Sequence, residues 1–156
     1  MGIQLTQLVE GKAISIAAFT DKTIAIDSFN WIYQFLSIIR QKDGTPLKDS
    51  KDRVTSHLSG LFYRTTKLMA VGVKPIYVFD GKMPEFKRAT AEQRRDVRAE
   101  AAREWKAALD RGDLVEARKY AQRASELTNE ILGDSKHLLK ALGVPAIQAP
   151  SEGEAL

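Results

Sequence analysis

Hydrophobic residues along this chain fall into two kinds of run, and the two kinds alternate. Thr23-Ile24-Ala25-Ile26-Asp27 and Pro75-Ile76-Tyr77-Val78-Phe79-Asp80 are short, nearly continuous apolar stretches, each running into an aspartate. Runs of that length and composition predict buried parallel strands. Between and beyond them the apolar positions recur at helical spacing. Trp31, Ile32, Phe35, Ile38 and Ile39 form one stripe of a helix that Ser28 or Asn30 opens and that ends near Arg40, before the turn Lys42-Asp43-Gly44-Thr45-Pro46. A second helix is expected from about Arg53 to Ala70, with Val54, Leu58, Leu61, Leu68 and Met69 inward and Gly72 as its stop. Gly81 and Pro84 mark a loop, and a charged helix follows from about Lys87 to Leu109. After the turn Asp110-Arg111-Gly112-Asp113, a stripe of Ala117, Tyr120, Ala121, Ala124, Leu127 and Ile131 predicts a helix from Leu114 to Leu132. A short helix from Asp134 to Leu142 stops at Gly143, and Val144 to Gln148 reads as a third strand.

Strands separated by helices predict an α/β fold with a mostly parallel central sheet flanked by helices. The segment 87–132 reads as an inserted helical hairpin beside that sheet, which divides the chain into 1–86, the hairpin 87–132 and a further region 133–156. At the end, Ser151-Glu152-Gly153-Glu154 has the form of a capping box, yet only two residues follow it. A helix without a body is unstable, so a truncated fold is expected here.

The length of 156 residues suits one domain with a real core, or part of a larger one. With 44% hydrophobic and 28% charged residues, the chain is globular rather than disordered. Cysteine is absent, which excludes disulfides, thiolate catalysis and cysteine-bound zinc or iron–sulfur centres. The apolar runs are too short to cross a bilayer. Met1 to Thr6 satisfies the loose myristoylation pattern, but no dense basic patch supplies the second signal that stable anchoring takes.

The chemistry lies in the acids. Open α/β sheets bind ligands beyond the carboxyl ends of their strands, where Asp27 and Asp80 are expected. With Glu152 and Glu154 they make a set of hard oxygen donors suited to Mg²⁺ and a phosphate substrate. Each also has an ordinary reading: Asp27 as a helix-opening acid, Asp80 as a turn former before Gly81, the glutamates as members of a capping box. His57 and His137 lack a second histidine at ligand spacing and are assigned structural roles. No nucleophilic triad or glycine-rich phosphate loop is present.

Basic and aromatic positions collect on other helix faces. Tyr33 and Arg40 lie at i and i+7, opposite the first buried stripe, an arrangement suited to base stacking and a phosphate contact. Arg53, Arg64 and Lys67 share an edge with Gly60, whose missing side chain admits a close approach by backbone or ligand. Lys87, Arg94 and Arg98 line up on the third helix, although Glu92, Asp96, Glu100 and Glu104 offer them local partners. That stripe begins a few residues after Asp80, where cations can neutralise charge developing on a phosphate.

Several segments, read as they stand, resemble the flap endonuclease family of structure-specific 5′ nucleases, its archaeal members above all. They include Met1-Gly2-Ile3-Gln4, Ala25-Ile26-Asp27, Tyr33-Gln34-Phe35-Leu36, Ser56-His57-Leu58, Phe62-Tyr63-Arg64-Thr65, Lys74 to Lys82, Lys136-His137-Leu138-Leu139 and Ala149 to Ala155. The resemblance covers essentially the whole chain. It implies a 5′-nuclease/PIN-like fold with a helical arch, and cleavage of phosphodiester bonds as a 5′-flap endonuclease and 5′–3′ exonuclease of DNA replication and repair. It implies two Mg²⁺ ions, with Mn²⁺ as a substitute, held in part by Asp27, Asp80, Glu152 and Glu154. It further implies that Tyr33 stacks on a base near the scissile phosphate and that Lys87 and Arg94 assist there. Arg40, Arg64, Arg98, Glu152 and Gly2 are then the expected DNA contacts, and branched DNA with a 5′ flap the expected partner, inside the cell and in the cytoplasm of an archaeon.

Members of that family are roughly twice this length. They continue with further metal-site aspartates, a DNA-binding helical element and usually a tail for the sliding clamp, so the carboxyl-terminal half of the fold is expected to be missing here. Weak or single-metal binding and little cleavage by this chain alone follow, with activity expected once the missing half is supplied, in cis, from a complementing chain or in a homo-oligomer. The alternative is a non-catalytic module of the same fold that binds DNA or protein.

Overall fold

The computed structural model describes residues 12–81 and 88–151, with the side chain of Arg88 left out. After a 3₁₀ turn at Ile16–Phe19, the elements run β1 (Thr23–Asp27), α1 (Ser28–Ile38), α2 (Ser56–Ala70), β2 (Lys74–Phe79), α3 (Arg88–Asp110), α4 (Leu114–Arg123), α5 (Asn129–Ala141) and β3 (Ala146–Gln148). The strands form one sheet in the order β1-β2-β3, with both pairings parallel. The expected α/β architecture is therefore what the chain adopts.

Side chains alternate along β2 so that Pro75, Tyr77 and Phe79 are buried. Tyr77 packs edge-on against Trp31 of α1, and its hydroxyl bonds Thr65 of α2 at 2.7 Å. Ile26, Ile32, Phe35, Leu36, Leu61, Ile131, Leu139 and Val144 complete the core, each full burial being worth about 1.5–3 kcal/mol. The other side of the sheet departs from expectation. Continuous apolar runs suggest strands covered on both faces, yet Thr23 and Ala25 are exposed and Ile76 and Val78 only half-buried. Among the described residues the packed helices cover the Tyr77–Phe79 side alone.

Helix boundaries move where side chains bond backbone. α1 opens at Ser28 because Asp27, not Ser28 or Asn30, is the cap: its carboxylate accepts the Asn30 amide at 3.0 Å. Ile38, assigned to the buried stripe, is 56% exposed, because the helix ends there and Arg40 turns back. α2 begins at Ser56 rather than Arg53, since Arg53 closes a loop on Asp49 with a 2.8 Å ion pair. Met69, also expected inside, lies exposed near the carboxyl end of α2. Gly60 does admit a close approach, but by the Phe35 ring and Ile39 of α1 rather than a ligand.

The expected helix from Leu114 to Leu132 is two. α4 stops before Ser125, which is buried and bonded by Arg40, and Thr128 then caps α5 by accepting the Ile131 amide. α5 absorbs the short helix expected from Asp134 and crosses the expected boundary at 132/133. The α3–α4 hairpin seats on the turn after α1: Trp105 donates to the Asp43 carbonyl at 3.1 Å, and a Cβ on Gly44 would meet that of Ala121. Gly44 and Gly112 hold φ of 85° and 72°, as their turns require.

Candidate active site

Parallel pairing brings two of the four expected acids to one sheet edge. Asp27 ends β1 opposite Val78 of β2, and Asp80 follows two residues after Val78. By alternation both belong to the set that faces away from Tyr77 and Phe79. Asp27 is exposed; one carboxylate oxygen caps α1, and the other accepts no hydrogen bond among the described residues. Its ordinary role as a helix opener and its position at the edge thus coexist in one side chain.

The chain beyond β3 runs along the same edge. Ala149 donates to the Phe79 carbonyl at 2.8 Å, and the Gly81 amide donates to the Ser151 carbonyl. A Cβ on Gly81 would drive into the Ala149 carbonyl and lie 2.7 Å from the Pro150 carbonyl carbon, so only glycine permits this contact. Ser151, the residue before Glu152, is thereby bonded to the neighbour of Asp80. Glu152, Glu154, Lys87 and Gly2 themselves lie outside the described residues. Among the described residues no three histidine or acidic side chains gather into a metal-sized cluster. Mg²⁺ takes one or two carboxylates and fills its octahedron with water and substrate phosphate, and a pair of strand-end aspartates fits that donor set.

The expected basic and aromatic residues stand on the helices α1, α2 and α3 with different exposures. Tyr33 stands on α1 at 37% exposure. Arg64 is exposed on α2, its guanidinium 5.3 Å from the Trp31 ring centre. Arg94 is exposed and Arg98 half-buried on α3. Among the described residues, neither forms an ion pair with Glu92, Asp96, Glu100 or Glu104.

Arg40 requires a correction. The helical wheel puts it on an open face, but it is half-buried and each of its three nitrogens donates a hydrogen bond. Its Nε donates to Leu36 O at 2.7 Å, Nη1 to Gly44 O at 2.6 Å and Nη2 to Ser125 Oγ at 2.8 Å, and the group sits 5.8 Å from the Trp105 ring centre. Burial lowers its pKa from the ordinary arginine value, with Tyr33 acting in the opposite direction. The helix ends at Ile38, so the 100° spacing that places Arg40 with Tyr33 no longer applies there.

Other residues escape a periodicity argument. Tyr63, beside Arg64, is 72% exposed and meets Phe62 edge-on; an aromatic lying off the buried stripe was the available signal. His57 is fully buried with neither ring nitrogen bonded, and desolvation lowers its pKa against the pull of Asp134. No described helix is long and apolar enough to cross a membrane.

Residues 1–101 match the model of the XPG N-terminal domain. The chain is 60% identical over 155 residues to flap endonuclease 1 of Pyrococcus horikoshii, an alignment that takes in 99% of this chain and 45% of that protein. The structure of flap endonuclease-1 from Methanococcus jannaschii is similar with a TM-score of 0.68 and 41% identity, over 99% of this chain and 49% of the other. The catalytic core of Rad2 in complex with DNA substrate is similar with a TM-score of 0.59 and 32% identity, over 90% and 35%. The chain spans about half the length of the curated relatives it matches.

Proposed function

The chain belongs to the XPG N-terminal domain family, and from that premise we propose that it supplies the amino-terminal catalytic region of a structure-specific 5′ nuclease. The reaction is hydrolysis of a phosphodiester bond where a 5′ flap leaves duplex DNA. The observation that carries this reading is the placing of Asp27 and Asp80 at the ends of adjacent parallel strands. The path of the chain toward Glu152 along the same edge adds to it. Likeness to flap endonucleases, and to a Rad2 core determined with DNA substrate, gives the substrate class.

In this reading Asp27 and Asp80, with Glu152 and Glu154, hold Mg²⁺, which when bound activates water and polarises the phosphate. The remaining residues orient DNA. Tyr33 offers a ring for base stacking, worth about 1–3 kcal/mol per base. Arg94 and Lys87 serve the scissile phosphate, and Arg64 and Arg98 serve neighbouring ones. Gly2, by the family resemblance, is a further contact for the same DNA. Arg40 acts chiefly by holding the α3–α4 hairpin in place.

Cleavage of a labelled 5′-flap duplex in Mg²⁺, compared with an Asp80→Ala protein prepared identically, tests this. Little cleavage by the parent alone is expected; once the carboxyl-terminal half of the family's fold is supplied, in cis or as a second chain, cleavage is expected, with a loss of about 10³-fold in Asp80→Ala and DNA binding retained. Salt-sensitive flap binding without cleavage even in the completed protein would instead identify a DNA-binding module.

A further inference from the structure

Lys136 belongs to a motif that the nuclease reading leaves without a role. Its ammonium lies 4.9 Å from the centre of the Phe79 ring and donates to Gln148 Oε1 at 2.6 Å. On the other end of the same amide, Gln148 Nε2 donates to the carbonyls of Phe79, at 3.3 Å, and of Asp80, at 2.5 Å. One donor, Lys136, and two acceptors, the carbonyls of Phe79 and Asp80, leave the amide one orientation. A lysine has no acceptor, so the amide oxygen must face Lys136 and the nitrogen must face the strand end.

We propose that Lys136 and Gln148 are positioning residues for Asp80. The amide pins the carbonyl of Phe79, the last residue of β2, and that of Asp80 itself, and the lysine fixes which way the amide faces. The backbone on both sides of the Asp80 Cα is then held: on the amino side by Gln148 on the Phe79 carbonyl, and on the carboxyl side by Gln148 on the Asp80 carbonyl and the Gly81 amide on Ser151. A carboxylate on a pinned backbone loses less freedom on binding a cation, which is how groups around a metal site set its affinity. The inference rests on the proposed metal role of Asp80, but the clamp itself does not require a metal to be present.

Two measurements on the full chain separate these layers. Without metal, amide exchange at Gly81 followed by NMR is expected to quicken about 10-fold in Gln148→Met and to stay near the parent rate in Lys136→Arg; an unchanged rate in Gln148→Met overturns the clamp. With Mn²⁺ titrated by calorimetry, Gln148→Met and Lys136→Met are expected to bind about 10-fold more weakly. Lys136→Arg, which keeps a donor for Oε1, is expected to restore the parent affinity. Equal loss in Lys136→Met and Lys136→Arg, or none in Gln148→Met, overturns the positioning role. If the parent itself takes up no Mn²⁺, the metal reading of Asp80 fails, and the exchange rates alone decide the clamp.

Discussion

His57 shows what burial does to a single titratable group. It is enclosed in α2 with both ring nitrogens unbonded, so the neutral form is favoured and the folded pKa falls below the ordinary histidine value. The unfolded chain therefore takes up a proton first as pH drops. Stability attributable to this group is complete above about pH 6.5 and declines below it, until the folded pKa is reached, by at most about 1.4 kcal/mol per pH unit. Urea unfolding at pH 7.5 and 5.5 should show that decline, and His57→Leu should remove most of it. An equal decline in both proteins would place the titration elsewhere. The sequence shows only that His57 has no partner histidine; its enclosure depends on α5, which comes far later in the chain. Asp27 and Asp80 are legible because a strand end is a local feature. Arg40 departs from the helical wheel because its contacts, Gly44 and Ser125, lie outside α1.

Between elements, that arginine is the main tie. One guanidinium joins the end of α1, the turn at Gly44 and the α4–α5 junction, with Trp105 of α3 against it. Arg40→Met keeps the apolar stem but leaves two carbonyls and a buried hydroxyl short of a donor, at a cost of about 2 kcal/mol. Arg40→Lys should recover only part of this, because one ammonium cannot span three acceptors. Hydrogen exchange should then rise in α3 and α4 before β2; a uniform rise would mean that the tie is not local. The same contacts explain why helix periodicity found the hairpin but not the break between α4 and α5. The stripe from Ala117 to Ile131 continues through the break in apolar pattern, whereas Ser125 and Thr128 interrupt it through hydrogen bonds. Pattern reports burial, and capping decides where a helix stops.

Across the whole molecule, two glycines make close contacts of similar tightness with different consequences. Gly60 lets α1 and α2 meet in the core, and Gly81 lets the chain after β3 close on the end of β2. Alanine at either should cost about 1–3 kcal/mol by overpacking. Only Gly81→Ala should also weaken Mn²⁺ binding and flap cleavage, since it alone displaces the neighbour of Asp80; equal functional loss in Gly60→Ala would mean that both act through stability. The parallel sheet and the acidic edge were legible in the alternating runs. The open far side of the sheet was not, because an apolar run says that a strand wants cover without saying what provides it.

Strand order in space repeats strand order in the chain, β1-β2-β3. Among the described residues each strand is therefore added outside the last. During synthesis, at about 5–20 residues per second, the pairing that sets Asp27 beside Asp80 is available before α3 leaves the ribosome. Asp27 and Asp80 are thus born ahead of the arginines of the hairpin, and a nascent chain passes through a stage with the paired strand ends and no basic hairpin.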